Sequence, residues 1–283
     1  MRVNRQAVPA KNSRVIAREL CVILMFCLLI MSFVKSGLRS IYITQESVIY
    51  VNLASQIVLY VLLPILTKKY LVGSDAPISC VVSRVDYKSI SFALILGFFL
   101  FLFSHGQDGV EAWLITKFNP DFGYSLWPFP EGSVAAWTKI TPSFILHLII
   151  GIVIAPAVEE FFSRALLFKN LASHMGIHKA ALLSGVIFIL MHLKHIHIVS
   201  TFIFAVALCY LYVATRSIFL CVIAHSIFNL IAIVTENFFL EYMIHSQDEI
   251  GFIYNWRFEF VCWVTSIVFM IFAFCRFRSH LRV

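Results

Sequence analysis

Charged residues are scarce in this chain. Asp, Glu, Lys and Arg make up 13% of its 283 residues, while 60% are hydrophobic. A soluble domain is about 25% charged and about 45–50% apolar, so the composition excludes an ordinary water-soluble globule. Cysteine pairing is also missing. None of Cys21, Cys27, Cys80, Cys209, Cys221, Cys262 and Cys275 forms a CxxC pair, and all but one fall in apolar runs. They read as small buried hydrophobes, which removes a disulfide frame and a cysteine zinc site. There is no HExxH helix, internal repeat, low-complexity tract or polar second domain. The first absence disfavours a zincin-type metal site, and the lack of repeated halves disfavours a transporter. Basic residues precede the first apolar run, but no small-residue cleavage site follows it. A retained first span is expected rather than a cleaved signal peptide.

What the chain does have is long apolar runs and 28 Phe, which suit lipid-facing surface and interhelical packing. A helix needs about 20 apolar residues to cross a bilayer. The runs read as spans are residues 18–34, 47–66, 89–104, 143–168, 180–194, 197–214, 217–235 and 258–275. They should be helices, because a helix satisfies its own backbone hydrogen bonds in lipid. The expected fold is all-α, a polytopic bundle of about eight spans. It divides into N-terminal spans and an external loop (residues 1–142), a helical core (143–235) and a last loop with the final span (236–283).

Basic residues orient the bundle. Arg2, Arg5, Lys11 and Arg14 mark the N-terminus as cytoplasmic. Lys68, Lys69, Arg84, Lys88, Lys169, Lys179, Arg216, Arg276, Arg278 and Arg282 then all fall on the same side. The opposite side collects Asp108, Glu111, Asp121, Glu131, Glu236, Glu241, Asp248 and Glu249 against Lys117, Lys139 and Arg257, with Lys35 and Arg39 of the first external loop as the dissenters. This is the positive-inside pattern with both termini inside, and it explains the net charge of +7 without a nucleic acid partner. The external loop 105–142 is expected to set Trp113, Trp127 and Trp137 near the headgroups.

Within the fourth run, "APAVEEFFSRALLF" holds Glu159, Glu160 and Arg164 among apolar residues. A charge at mid-membrane costs about 2.5–3.5 kcal/mol on insertion scales, so three together call for a reason. Glu160 and Arg164 share a helix face and can pair. Glu159, rotated by about 100°, has no evident local partner, and a carboxylate in that position can move protons. Pro156 should loosen the helix one turn upstream. The plainer alternative is that the span ends near Val158 and the glutamates are wetted. "FILMH" (Phe188 to His192) and "HSIFN" (His225 to Asn229) each place two residues on one helix face. At about 1.5 Å rise per residue, Glu159 lies about 13 Å deep, His192 about 18 Å and His225 about 12 Å. These depths fall near the middle of a core about 30 Å thick, so the three could share a cavity. The nearby His195 and His197 of "HLKHIH" read as interfacial.

The ordered set Glu-Glu-x-x-x-Arg, Phe-x-x-x-His and His-x-x-x-Asn, over residues 143–235, resembles the CPBP family of CAAX-protease and bacteriocin-processing intramembrane endopeptidases, also called Abi proteins. One departure is Ala165, where relatives often carry Gly. The resemblance implies a glutamic-type protease without an obligatory metal. Glu159, with His192, would activate water, and His225 and Asn229 would stabilise the oxyanion. Glu160 and Arg164 would hold the helix in register, with Phe188 in support. The implied substrate is a membrane-associated protein or peptide, met in a bacterial cell membrane. Prenylated C-termini, leader peptides and C-terminal membrane tags are all conceivable. Glu plus two His is also a common zinc ligand set, so a zinc-dependent protease is the alternative mechanism. A silent immunity protein and a proton-coupled transporter are the non-protease alternatives; every motif position being filled favours activity.

The orientation is testable. Reporter fusions at Arg14 and Arg282 should both read cytoplasmic; an external C-terminus would remove one span and undo the depth argument.

Overall fold

In lipid the backbone has no partner but itself, and the apolar runs fold accordingly into helices. The computed structural model describes residues 10–41, 45–72, 85–118, 142–192, 198–235 and 256–281. The elements are α1 (Ala10–Ile41), α2 (Gln45–Val72), α3 (Tyr87–Phe118), α4 (Pro142–Ile149), a π-helical turn π1 (Ile150–Ile154), α5 (Ala155–Glu160), a second π segment π2 (Phe161–Phe168), α6 (Lys169–Met175), α7 (Ile177–His192), α8 (Ile198–Thr215), α9 (Ile218–Val234) and α10 (Trp256–Leu281). No strand occurs among the described residues. From α4 to α6 the chain is one continuous helical rod, so the eight expected runs appear as eight helical segments.

Among the described residues, 6 of these segments are long and apolar enough to cross a membrane; α7 and α9 are shorter apolar helices. Large apolar side chains such as Leu29, Phe33, Val268 and Phe272 point outward. In water that surface would be costly, and in a bilayer it is the ordinary solvated face. The rod lies between two groups of helices. On one side α1 and α2 pair with each other, α1 resting on α6 and α2 on α5. On the other side α9 touches π1, α5, α8 and α3, while α7 packs on α8 and π2. The helices α3 and α10 run together and close the far side against α8 and α9. The buried core gathers Leu20, Leu63, Leu100, Phe162, Leu167, Phe188 and Leu208 from these elements.

Several expected boundaries move. The third run was expected to end at 104, with an external loop from 105, yet α3 continues to Phe118. The polar residues that suggested a loop are buried against α10. Gln107, Asp108 and Glu259 are all buried, and His105 Nε2 lies 3.0 Å from Glu259 Oε1. Gly106 permits the approach, because a Cβ there would sit 2.6 Å from the Glu259 carbonyl oxygen. The His105–Glu259 contact across the helix pair replaces water for those two side chains. At its start α3 is capped by Asp86, whose Oδ1 accepts from the Ser89 amide at 2.9 Å. The fourth run, expected to stop at 168, stays helical to Met175, and α7 begins at Ile177 rather than 180. Residues 119–141, 193–197 and 236–255, and with them Trp127, Trp137, His195 and His197, lie outside the described residues.

The tightest helix approach carries a prediction. A Cβ on Gly97 of α3 would stand 2.3 Å from the carbonyl oxygen of Ala224 on α9, whereas one on Gly37 meets nothing within 4 Å. Gly97→Val should destabilise by about 1–3 kcal/mol, the usual cost of overpacking. Gly37→Ala should stay within about 0.5 kcal/mol of the parent. Melting of the purified variants in detergent separates the two outcomes.

Candidate active site

The site begins with a proline. Pro156 has no N–H to donate, so the carbonyl one turn back loses its helical partner. The rod responds by widening. Ala155 N–H bonds to Ile150 O, a π register, and under that register Gly151 O is the group facing Pro156. Helix α9 supplies the missing donors: Asn229 Nδ2 donates to Gly151 O at 2.7 Å, and Ser226 Oγ donates to Ile152 O at 2.6 Å. Buried backbone carbonyls are thus satisfied by side chains of a neighbouring helix. Serine and asparagine in an apolar helix have a backbone task here, and they fix α9 against the rod.

Just beyond, α5 presents both glutamates inward. Glu159 is 6% exposed, and Glu160 and Arg164 are 0% exposed. The alternative of a span ending near Val158 with wetted carboxylates is overturned, because the helix runs on and the bundle closes over it. Glu160 Oε2 meets Arg164 Nε at 2.9 Å. Its other oxygen, Oε1, accepts from His225 Nδ1 at 2.8 Å. The guanidinium is satisfied further by Nη2 donating to Ala205 O at 3.3 Å. Its carbon lies 4.9 Å over the Phe188 ring, a cation–π contact in a desolvated place. Phe188 also lies 4.5 Å from the His192 ring, so this residue serves both the cation and the imidazole. Phe204, which sequence reasoning passed over, meets His225 edge-on at 4.8 Å.

Glu159 faces a different set. Its Oε1 accepts from Tyr60 Oη at 2.8 Å, across to α2. Its Oε2 lies 3.6 Å from His192 Nε2 and 3.9 Å from His225 Nε2. These two distances are beyond a direct hydrogen bond. The opposite ring nitrogens decide the protonation. His192 Nδ1 is 2.9 Å from Phe188 O, and a carbonyl can only accept, so Nδ1 carries the hydrogen. His225 Nδ1 likewise donates to the Glu160 carboxylate. In the neutral rings both Nε2 atoms are then acceptors. An oxygen and two nitrogens converge with lone pairs and no hydrogen between them. Such a triangle suits a water molecule, whose two O–H groups can be shared among three acceptors.

All seven residues singled out from the sequence therefore lie in this neighbourhood: Glu159, Glu160, Arg164, Phe188, His192, His225 and Asn229. Asn229 is the one farthest in function from its expectation, since one amide hydrogen is engaged by Gly151 O. Tyr60 had no sequence signal, being a tyrosine with no motif around it in an apolar run of the chain's first 142 residues. His105, His174 and His178 are paired elsewhere, with Glu259, Arg14 and Tyr210 respectively. Among the described residues, no group of three His, Cys, Asp or Glu side chains has a geometry that could hold a metal ion.

Residues 141–231 match the family model described as "Type II CAAX prenyl endopeptidase Rce1-like". A curated relative from Bacillus subtilis (strain 168), described as "Putative membrane peptidase YdiL", is 27% identical over 144 residues, covering 50% of this chain and 54% of that protein. The chain thus spans about half the length of the curated relative it matches. No solved structure gives a significant match. With its apolar helices, the chain is a multi-pass integral membrane protein.

The buried ion pair can be tested directly. Glu160→Gln leaves Arg164 without its counter-ion and weakens the acceptor that holds His225. Breaking a buried pair from one side costs about 3–5 kcal/mol, so this variant should melt at a lower temperature and accumulate less in membranes. An equally stable Glu160→Gln would mean that the pair is wetted.

Proposed function

The match over residues 141–231, with the relative from Bacillus subtilis, makes the chain a member of the CPBP family, and from that premise we propose that it is an intramembrane endopeptidase. It hydrolyses a peptide bond of a membrane-associated protein or peptide, with Glu159 as the base. The observation that carries this reading is the approach of His192 Nε2 at 3.6 Å and His225 Nε2 at 3.9 Å to the same oxygen of Glu159, Oε2, around the space between them.

A water in that space gives a proton to Glu159, assisted by His192, as its oxygen attacks the peptide carbonyl carbon. The new C–O bond leaves an oxyanion on the former carbonyl. His225 faces that side, with its Nδ1 anchored on Glu160. When its Nε2 also bears hydrogen, the ring is an imidazolium whose charge the Glu160 carboxylate stabilises. Asn229, one turn along α9, offers its second amide hydrogen, aimed by the first one's bond to Gly151 O. Collapse of the intermediate breaks the C–N bond, and the proton held by Glu159 passes to the leaving amine. The products are a carboxylic acid and an amine. Burial strengthens each of these charge interactions relative to water.

The substrate class to try first is a prenylated C-terminal peptide, the chemistry that the family description carries. Leader peptides and C-terminal membrane tags are the other arms of the same assay. Purified protein in proteoliposomes should cleave one of these peptides. Glu159→Gln keeps size and hydrogen bonding but removes the base, so turnover should fall by about 10²–10⁴-fold with unchanged melting temperature. A fully active Glu159→Gln would sink the assignment; a wild type that cleaves nothing would favour a silent membrane protein. Activity should also persist in strong chelator. Loss of activity restored by added zinc would favour the zinc-dependent mechanism.

A further inference from the structure

We propose that Tyr60 of α2 is a positioning residue for the Glu159 carboxylate, an inference that rests on the reading of Glu159 as the base. The phenol donates to Oε1 at 2.8 Å. Glu159 lies within the apolar rod, and a free carboxylate there could rotate about its terminal bond. One donor on one oxygen removes that freedom. It engages Oε1 and leaves Oε2 buried without a direct hydrogen bond. Oε2 is also the oxygen 3.6 Å from His192 and 3.9 Å from His225. The two oxygens therefore have separate tasks: Oε1 is held, and Oε2 takes the proton.

The donor comes from outside the motif-bearing core, 99 residues away in sequence. Helix α2 rests against α5, the segment that carries Glu159, and its neighbouring side chains Leu59 and Leu63 are buried in the core. That packing holds the ring, and the ring holds the carboxylate. A phenol suits the task better than a charged donor. It stabilises the ionised carboxylate without adding a second cation to a site that already contains Arg164, and it has one rotatable hydrogen to aim.

The test needs no substrate. Dicyclohexylcarbodiimide modifies protonated carboxyl groups in apolar surroundings, and peptide mass spectrometry reads the rate at each glutamate. Glu259, buried between α3 and α10, is the internal reference. In Tyr60→Phe, modification of Glu159 should run about tenfold faster than in the parent, the change expected for losing a hydrogen bond to a charged group. The rate at Glu259 and the melting temperature should stay the same. An unchanged rate at Glu159 would overturn the proposal. So would a rate that rises equally at Glu159 and Glu259 with a lower melting temperature, because that result describes a loosened bundle. Since labelling is independent of cleavage, a Glu159→Gln variant that still cleaved peptide would end the base assignment and leave the Tyr60–Glu159 link standing.

Discussion

One buried carboxylate ties the functional half of this bundle together. Glu160 has no contact with solvent, and each of its oxygens is engaged by a different helix: Arg164 from its own rod and His225 from α9. Arg164 in turn reaches Ala205 on α8 and the Phe188 ring on α7. Three neighbouring helices are thereby referenced to a single ion pair. In lipid there is no hydrophobic drive to bring helices together, so small-residue contacts and polar links specify their packing. The cost of desolvating a guanidinium is met by a carboxylate, a carbonyl and an aromatic face at once.

The second device is the widened turn around Pro156. Pro156 has no N–H to close the bond on the preceding turn. Two carbonyls turn to α9 and find donors there. A local defect in one helix becomes a point of registration for another. That registration also holds His225, one residue before Ser226 and four before Asn229, beside Glu159. The rod is π-helical on either side of the segment that carries Glu159 and Glu160 and α-helical at its ends, a pattern in which π turns accompany functional sites.

Much of this was legible in the sequence. Composition and run length sufficed for an all-helical membrane bundle, because the bilayer admits few other folds. The spacing of Glu160 and Arg164 sufficed for their pairing, because residues four apart on a helix share a face. Boundaries were less legible where polarity was misread as water. His105, Gln107 and Asp108 looked like the start of a loop, and a partner helix carrying Glu259 made them part of α3 instead. Whether a polar residue is solvated or paired depends on a neighbour that local sequence does not reveal.

By itself, the sequence determined that the chain must lie in lipid, that its apolar runs must be helical, and that Glu159, Glu160, Arg164, His192, His225 and Asn229 form an unusual polar set within them. Each of these conclusions follows from local physics: the cost of bare backbone or bare charge in hydrocarbon, and the period of a helix. Tertiary structure alone decided which oxygen of which glutamate faces which imidazole, that Asn229 spends one hydrogen on Gly151, and that a tyrosine 99 residues from Glu159 holds it. Those are facts of rotation and approach between helices. Helix packing sets them through contacts distant in sequence, and no spacing within a single helix encodes them.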